Sequence, residues 1–392
     1  MLMRRVGANE PRNVRTLLLC AKPRLDQVSL ARLREVTRST PDWEELLAIA
    51  SDHGLTPIFC KNIECAATDA VSLSWRRRFR REFLRNSCRN LALTSELFNL
   101  LQAFESHAVC ATAYKGPVLA VQAYGDVTMR QFSDLDILVP HAQIVEAENA
   151  LLGLRYRPVV KGATATRGLR QIPGQYAYRK DAEMIVELHS EYTLRYFPRR
   201  LNLQEMCKRR VPVDLTGREV LTFSPEDTLL LLSVHGSKHF WERLSWIADI
   251  AALMRTGRPI NWNVALERAQ AWRIQRMVLL GIGLAAEIFD ADLPAQVSDC
   301  LKRDAYAQQM IADIRNLVLA PVPEQLGIFR RFAFRVGMRG SLTAGMPYAI
   351  RLTFQPTEQD RGRHARFLEP LYALGRPLRL ARTYGWRTRA GS

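Results

Sequence analysis

The spacing of apolar residues changes twice along the chain, and these changes predict a sheet-containing region between two helical regions. From residue 14 to 105 apolar residues recur at helical spacing, most regularly between Trp75 and Phe104. Between residues 108 and 190 the pattern changes to short apolar runs separated by turns. Helical spacing returns after Arg199. The pattern predicts an α+β protein, with a small mixed β-sheet flanked by helical N-terminal and C-terminal regions.

The middle region has the predicted element order β-α-β-α-β-β. Its predicted strands are at 108–114, 132–139, 175–179 and 184–189, and its predicted helices are at 116–124 and 142–152. This order implies a mixed sheet with helices on one face. The predicted domain limits are 1–105, 106–200 and 201–350, followed by a basic tail at 351–392.

Two helix N-termini have strong local signals. Asp42 precedes an apolar run in the manner of an N-cap residue. The run from Ser224 to Asp227 combines a capping Ser, a Pro at the first helical position and acids in the first turn. The run from His53 to Pro57 predicts a helix end, and further helices are predicted at 241–254 and 263–289.

Two acids stand at the start of a strand that is otherwise apolar. Asp134 and Asp136 alternate with apolar residues, so their side chains project from the same face of the strand. Two neighbouring carboxylates repel each other unless positive charge lies between them, and a hard divalent cation with oxygen ligands is the natural candidate. The alternative is an edge strand whose two acids face water.

A third acid lies on another predicted strand. Glu187 is flanked by apolar residues, and a lone acid on a buried strand is unfavourable unless it is paired or binds a metal. Together with Asp134 and Asp136 it would complete a site for two metal ions, of the kind that catalyses nucleotidyl transfer. His189 shares its strand face, and we interpret it as a hydrogen-bonded wall residue because Mg²⁺ prefers oxygen ligands.

Residues upstream of the acids suit the binding of a triphosphate. Lys115 and Arg130 would offset phosphate charge, and Gly116 would allow phosphate to approach the backbone closely. Together with the acids they predict a site for a nucleoside triphosphate with its metal ions. The alternative for Arg130 is a structural ion pair with Asp134.

A second group of polar residues lies between His235 and Asp249. Four of its residues are predicted to line the cleft that faces the triphosphate or the acceptor: His235, Lys238, His239 and Asp249. The two histidines are four residues apart, as in a zinc-protease helix, but Gly236 stands where that motif has Glu. Polar contacts between packed helices, such as a pair between Arg243 and Asp249, are the alternative interpretation.

Composition adds an expectation about partners and location. The 392 residues carry a net charge of +17, which favours anionic partners, although the excess arginine is spread along the chain. The arginines at 76–81 and in the tail suit nucleic acid or an acidic membrane surface, with a solvated helix face as the alternative. The seven scattered cysteines, the lack of a signal peptide and the lack of a long apolar run predict a cytoplasmic protein without a transmembrane span.

These motifs, in this order, resemble those of bacterial proteins known as uncharacterised nucleotidyltransferases, within the DNA polymerase β-like nucleotidyltransferase superfamily. The residues that carry the resemblance are Lys115-Gly116, Arg130-x-x-x-Asp134-x-Asp136-x-Leu138-Val139, Val186-Glu187-Leu188-His189, His235-Gly236-x-Lys238-His239 with Trp246 and Asp249, and the tail from Pro356 to Leu380. The resemblance implies a transferase that moves a nucleotidyl group from a nucleoside triphosphate to a hydroxyl. It implies two Mg²⁺ ions, with Mn²⁺ as an alternative, held by Asp134, Asp136 and Glu187.

The sequence leaves the acceptor open. A small molecule, a peptide or a protein side chain fits the prediction, and nucleic acid is a less favoured acceptor. One alternative is a nucleotide-binding regulator on the same fold without turnover, because Pro117 stands where the superfamily usually has Ser or Gly. Another is a basic adaptor for nucleic acid or a membrane surface.

Overall fold

The computed structural model describes most of the chain. The described residues are 12–22, 25–39, 41–66, 71–159, 175–181, 184–190, 203–320, 326–354, 375–380 and 382. Of the predicted basic tail, only 351–354, 375–380 and 382 lie among them, so the expectations for the rest of the tail fall outside the described residues.

Helices dominate the described structure. The helices are α1 (Arg12–Cys20), α2 (Gln27–Arg38), α3 (Trp43–Asp52), α4 (Thr56–Ala66), α5 (Leu73–Ser106), α6 (Gly116–Leu119), α7 (Ile144–Gly153), α8 (Leu203–Lys208), α9 (Pro225–Lys238), α10 (Leu244–Met254), α11 (Trp262–Ala271), α12 (Gln275–Phe289), α13 (Ala295–Arg303), α14 (Ala305–Val318), α15 (Ile328–Gly337) and α16 (Leu342–Phe354). The strands are β1 (Thr112–Ala113), β2 (Asp134–Leu138), β3 (Arg157–Pro158), β4 (Gln175–Lys180), β5 (Met184–His189), β6 (Val211–Leu215) and β7 (Arg218–Thr222).

A small mixed sheet forms the centre of the fold. Its strand order is β1-β2-β5-β4-β3, in which β2 and β5 are parallel and the other neighbours are antiparallel. The predicted α+β class, with a small mixed sheet between helical regions, is confirmed. The predicted strand at 108–114 shortens to Thr112 and Ala113, and the short strand β3 was not predicted.

Several helix boundaries follow from local hydrogen bonds. Asp42 accepts a hydrogen bond from the amide of Glu45 at 3.0 Å, and Ser224 accepts one from the amide of Asp227 at 3.3 Å, as the capping signals predict. The helix predicted at 263–289 is divided into α11 and α12 by a turn in which Arg273 has a φ of +53°.

The prediction of helices after Arg199 is wrong for residues 211–222, which form the hairpin β6–β7. Its turn residues Thr216 and Gly217 both have positive φ, as the favoured two-residue hairpin turns require. The amide of Gly217 donates to the Asp214 carboxylate at 2.7 Å, and the Thr222 hydroxyl donates to the carbonyl of Ala113 in β1 at 2.8 Å. The alternation of apolar residues on either side of Thr-Gly was the signal for this hairpin.

Two apolar cores hold the described elements together. The first joins the N-terminal helices to the C-terminal ones, with Leu17, Phe59 and Leu280 fully buried in it. The second lies between the central sheet and helices α5 and α7. Helix α5 contributes Phe79 to the first core and Leu97 to the second, so it connects them. Among the described residues, no helix is both long and apolar enough to cross a membrane.

A buried ion-pair network fixes the start of α9. The Asp227 carboxylate is fully buried and accepts hydrogen bonds from Arg209 Nε at 3.1 Å and from Arg268 Nη1 at 2.9 Å. Burial raises the pKa of Asp227, although both arginines oppose this. The network ties α9 to α11 and to the residue that follows α8.

We expect Asp227→Asn to lower the free energy of unfolding by about 3 kcal/mol, because it leaves two partly buried guanidinium groups without their common carboxylate. Urea denaturation followed by circular dichroism measures this. The control is Glu219→Gln, which removes an exposed acid on β7 and should change the free energy by less than about 0.5 kcal/mol. Equal losses in the two variants would contradict the assigned role.

Candidate active site

The pairing of β2 with β5 brings the predicted acids together. The two strands are parallel, and Asp136 lies directly beside Glu187 in the register. Because residues two apart share a strand face, Asp134 and His189 project from the same face as this pair. The intervening apolar residues of both strands point to the other face, into the second core.

A cavity of about 250 Å³ lies over this face. Its lining residues are Tyr114, Lys115, Asp134, Asp136, Gln175, Glu187, His189, Leu231, Val234, His235, Lys238 and His239. All the predicted site residues except Gly116, Arg130 and Asp249 are therefore in the lining. The sheet provides the acidic wall, and α9 with the residue after it provides a wall with Lys238 and two histidines.

Two positive or hydrogen-bonding groups compensate the charge of Asp136. Lys115 Nζ lies 3.1 Å from its Oδ1, and His189 Nε2 lies 2.9 Å from the same oxygen. Burial alone would raise the pKa of Asp136, but Lys115 and His189 hold it well below its usual range. His189 interacts with Asp136 and, at 3.4 Å, with Glu187. These two contacts outweigh burial and raise the pKa of His189. Gln175 Nε2 donates to Glu187 at 2.9 Å.

Asp134 has a different environment from Asp136. Within the described part of the chain its half-buried carboxylate has no hydrogen-bond or ion-pair partner. Burial and the charge of Asp136 raise the pKa of Asp134 to about 6. An unpartnered carboxylate beside a second buried one is an arrangement that a divalent cation would stabilise.

The cluster offers two carboxylates and one imidazole at metal-binding separation. One ligand atom each from Asp136, Glu187 and His189 lie within 4.8 Å of one another. With Asp134 on the same face, the site offers three carboxylates, which are the donors that Mg²⁺ prefers. The residues present therefore fit a hard divalent cation.

Gly116 brings the chain close to the start of β2. It has a φ of +53°, and a Cβ atom at this position would lie 3.3 Å from the carbonyl oxygen of Asp134. The residue before it is Lys115, so this close approach helps to place the lysine beside Asp136.

Arg130 lies outside the cavity lining and pairs with another acid. Its Nε lies 2.9 Å from Asp249 Oδ1, and its Nη2 lies 3.0 Å from Asp249 Oδ2. The hydroxyl of Tyr124 donates to the same carboxylate at 2.9 Å. Asp249 is thus buried against Arg130 instead of facing the cavity, and neither of the ion pairs considered from the sequence, Arg130 with Asp134 or Arg243 with Asp249, is the one formed here.

The two histidines of the second wall are neutral at pH 7. Their ring centroids are 4.8 Å apart, and each lies 5.3 Å from the ring of Trp246. Burial and the charge of Lys115 lower the pKa of His235, and burial and the charge of Lys238 lower that of His239 to about 3. The positive charge that faces the acids from this wall therefore belongs to Lys238.

Sequence reasoning missed three kinds of lining residue. Tyr114 was predicted only as the end of a strand, and Leu231 and Val234, which lie on α9, were given no role in the site. Gln175 could have been found, because it pairs with His189 across the two antiparallel strands β4 and β5. Both strands were predicted there. The position of Gln175 beside the site can be recognised only when the pairing register of the strands is derived from the turn that joins them.

Comparison with known proteins identifies the family of the chain. The family model described as "Uncharacterised nucleotidyltransferase" matches residues 39–290, more than half of the chain. The chain belongs to this family. The family prediction is confirmed, and the expected bacterial source stays a prediction. No curated protein matches the chain significantly.

Two solved structures are similar to parts of the chain. One is an antigenic nucleotidyltransferase-like protein from Paracoccidioides brasiliensis, with 18% identity, a TM-score of 0.32, and coverage of 52% of this chain and 94% of that one. The other is the antibiotic-resistance factor ANT(2'')-Ia, with 12% identity, a TM-score of 0.29, and coverage of 58% of this chain and 93% of that one.

We expect Gly116→Ala to destabilise the protein more than Gly125→Ala does. Both glycines have positive φ, so both substitutions introduce backbone strain of about 1–2 kcal/mol. Only at Gly116 does the new Cβ also meet the backbone of Asp134, whereas at Gly125 no described atom beyond the two adjacent residues lies within 4 Å of it. Urea denaturation of both variants measures the difference, and equal losses would show that the contact with Asp134 is unimportant.

Proposed function

We propose that the protein transfers a nucleotidyl group from a nucleoside triphosphate to the hydroxyl of an acceptor. The observation that carries the proposal is the single sheet face on which Asp134, Asp136 and Glu187 meet, opposite Lys238 and beside Lys115. Acids on one wall and a cation on the other suit a metal-bound polyphosphate, whose metal ions face carboxylates and whose oxygens face lysines.

The three carboxylates would hold the metal. Two Mg²⁺ ions are the proposed complement, and Mn²⁺ has the same preference for oxygen ligands and could replace them. When bound, such ions stabilise charge on the phosphate and activate the attacking hydroxyl. Before the metal binds, Lys115 already offsets part of the negative charge on Asp136.

The remaining proposed residues act on the nucleotide. Lys115 and Lys238 attract the phosphates, and His239 contributes a neutral imidazole that can donate a hydrogen bond. Gly116 leaves room for the backbone to approach a phosphate. Arg130 contributes through its charge, since its guanidinium is bound to Asp249 and its field lowers the pKa of Asp134 against burial.

The acceptor of the proposed transfer is a small molecule, a peptide or a protein, with nucleic acid less favoured. We also propose a cytoplasmic location, since all seven cysteines are free thiols. The adaptor alternative needs binding that falls steeply with salt and survives the loss of both aspartates.

We expect the separate variants Asp134→Asn, Asp136→Asn and Glu187→Gln to lose transfer by roughly a thousandfold. Each removes a charge that holds the metal, and metal ions contribute several kcal/mol to such reactions. The assay follows the label of each α-³²P nucleoside triphosphate into components of a cell extract with Mg²⁺. Chelation of Mg²⁺ should abolish the same signal in the unchanged protein.

The matched control is Glu146→Gln, which removes an exposed acid of α7 and should leave transfer unchanged. Asp134→Asn should unfold at no lower urea concentration than the unchanged protein, because the raised pKa of Asp134 means that its charge is unfavourable in the fold. Asp136→Asn and Glu187→Gln lose stabilising contacts with Lys115, His189 or Gln175, so circular dichroism must show that they are folded before their activity is compared. Full activity in Asp136→Asn would overturn the proposal. Binding of Mg²⁺–nucleotide without any label transfer would instead favour the regulator alternative.

We expect Lys115→Ala to weaken the binding of Mg²⁺–nucleotide about tenfold, which corresponds to about 1.4 kcal/mol. The substitution removes positive charge from the cavity and leaves Asp136 with its histidine contact alone. Isothermal titration calorimetry measures the affinity. Lys208→Ala is the control, because Lys208 is exposed on α8 and does not line the cavity. Unchanged affinity in Lys115→Ala would contradict the role of this lysine.

A further inference from the structure

Helix α9 ends in a turn that normally requires glycine. The amide of Trp241 donates to the carbonyl of Gly236 at 2.9 Å, and the amide of Phe240 donates to the carbonyl of Ser237 at 3.3 Å. This pair of hydrogen bonds is the Schellman motif, in which the residue after the C-cap has a left-handed backbone and is usually Gly. Here that residue is Phe240, with a φ of +56°.

The strain extends over two residues. Trp241 follows with a φ of +55°, so two successive bulky residues have a backbone conformation that L-residues disfavour. The Trp241 ring packs so closely on Gly236 that a Cβ atom there would lie 2.4 Å from it. Such strain persists only where the surrounding structure determines the conformation, and it concentrates at functional sites.

Helix α15 supplies the surroundings that hold Phe240. The Phe240 ring lies 5.3 Å from the ring of Phe334, and the Arg331 and Arg335 guanidinium groups lie 4.5 Å and 5.3 Å from its centroid. Arg331 also donates to Glu242 at 2.5 Å and to the Leu326 carbonyl at 2.8 Å. Arg331 therefore contacts the turn both at an aromatic face and at a carboxylate.

The turn directly follows two residues of the cavity wall. Lys238 is the last residue of α9 and His239 is its C-cap, and both line the cavity over the acids. The backbone direction at Phe240 thus limits where these two side chains can lie. Helix α15 lies outside residues 39–290, so its contact with the turn comes from beyond the segment that the family model matches.

We propose that α15 clamps the end of α9 and so positions Lys238 and His239 toward the phosphates, with Arg331 as the main positioning residue. The part that concerns phosphates depends on the proposed function. The clamp itself does not, since it concerns only the turn. Among the described residues Arg331 contacts the turn and is not part of the cavity lining, so its positioning role acts through the turn. Its charge also helps to lower the pKa of His239.

The first test concerns the turn alone. Hydrogen exchange, read by mass spectrometry on peptides that cover residues 236–243, is compared in Arg331→Ala and Arg330→Ala. The control residue Arg330 is the exposed neighbour on the same helix and, among the described residues, has no contact with the turn. We expect at least tenfold faster exchange at Phe240 and Trp241 in Arg331→Ala, and no change in Arg330→Ala. Equal exchange in the two variants would overturn the clamp, whatever the protein binds.

The second test concerns the nucleotide and uses calorimetric titration with each Mg²⁺–nucleoside triphosphate. We expect Arg331→Ala to weaken the binding of the tightest-binding nucleotide about fivefold to tenfold. Arg331→Lys, which keeps the charge over Phe240, should recover part of this loss of affinity. In a Lys238→Ala/His239→Ala background the Arg331 substitution should have no further effect, because its action passes through those residues. An equal loss in that background would overturn the positioning role.

A milder variant covers the case in which Arg331→Ala does not fold. Glu242→Gln removes the ion pair from the side of the turn, at a residue whose side chain is 39% exposed. This variant should speed hydrogen exchange at the same amides. It should also weaken nucleotide binding, by a smaller factor than Arg331→Ala does. If no nucleotide binds the unchanged protein while the exchange result holds, the proposed function fails and the clamp stands; if nucleotide binds but neither variant alters exchange, the clamp fails.

Discussion

The pairing of β2 with β5 in parallel register is the constraint on which the site depends. A shift of one residue would turn Glu187 to the other face of the sheet, away from Asp136. The correct register places three carboxylates together, and such a cluster is unfavourable unless positive charge compensates it. Lys115 and His189 supply part of that compensation, while Asp134 retains a raised pKa of about 6. The negative charge of the cluster is therefore only partly compensated, and a bound cation would stabilise it.

Helix α9 of the C-terminal region contributes a positive charge, that of Lys238, from the other side of the cavity. Helix α9 belongs to the core that joins the N-terminal and C-terminal helices and that also includes Leu138 of β2, so the position of Lys238 depends on helix packing as well as on the sheet. Asp227 and its two arginines fix one end of this helix, and the contact of Arg331 with the turn fixes the other. The sheet thus supplies the carboxylates of the cavity, and helix α9 supplies the positive charge that faces them.

The sequence predicted the parts of the site that depend on local pattern. The alternation around Asp134 and Asp136, and the apolar neighbours of Glu187, identified both strands and the face they share. Long-range partners left no such signal: the pairing of Arg130 with Asp249 spans 119 residues, and nothing near either residue specifies it. The hairpin at 211–222 did have a local signal, in its alternation and its Thr-Gly turn, so that omission was a misreading of periodicity.

Among the described residues, backbone conformations that the local sequence disfavours are of two kinds. Residues such as Asp290 and Thr216 have positive φ at helix ends or hairpin turns, where a single left-handed residue is common. Around the cavity the departures are costlier: Gly116 is held against the Asp134 backbone, and Phe240 and Trp241 are left-handed in succession. Local preference and global fold disagree there, and such disagreement concentrates where function imposes a geometry. The strained turn and the crowded acids therefore belong to one site, built from segments that are far apart in the chain.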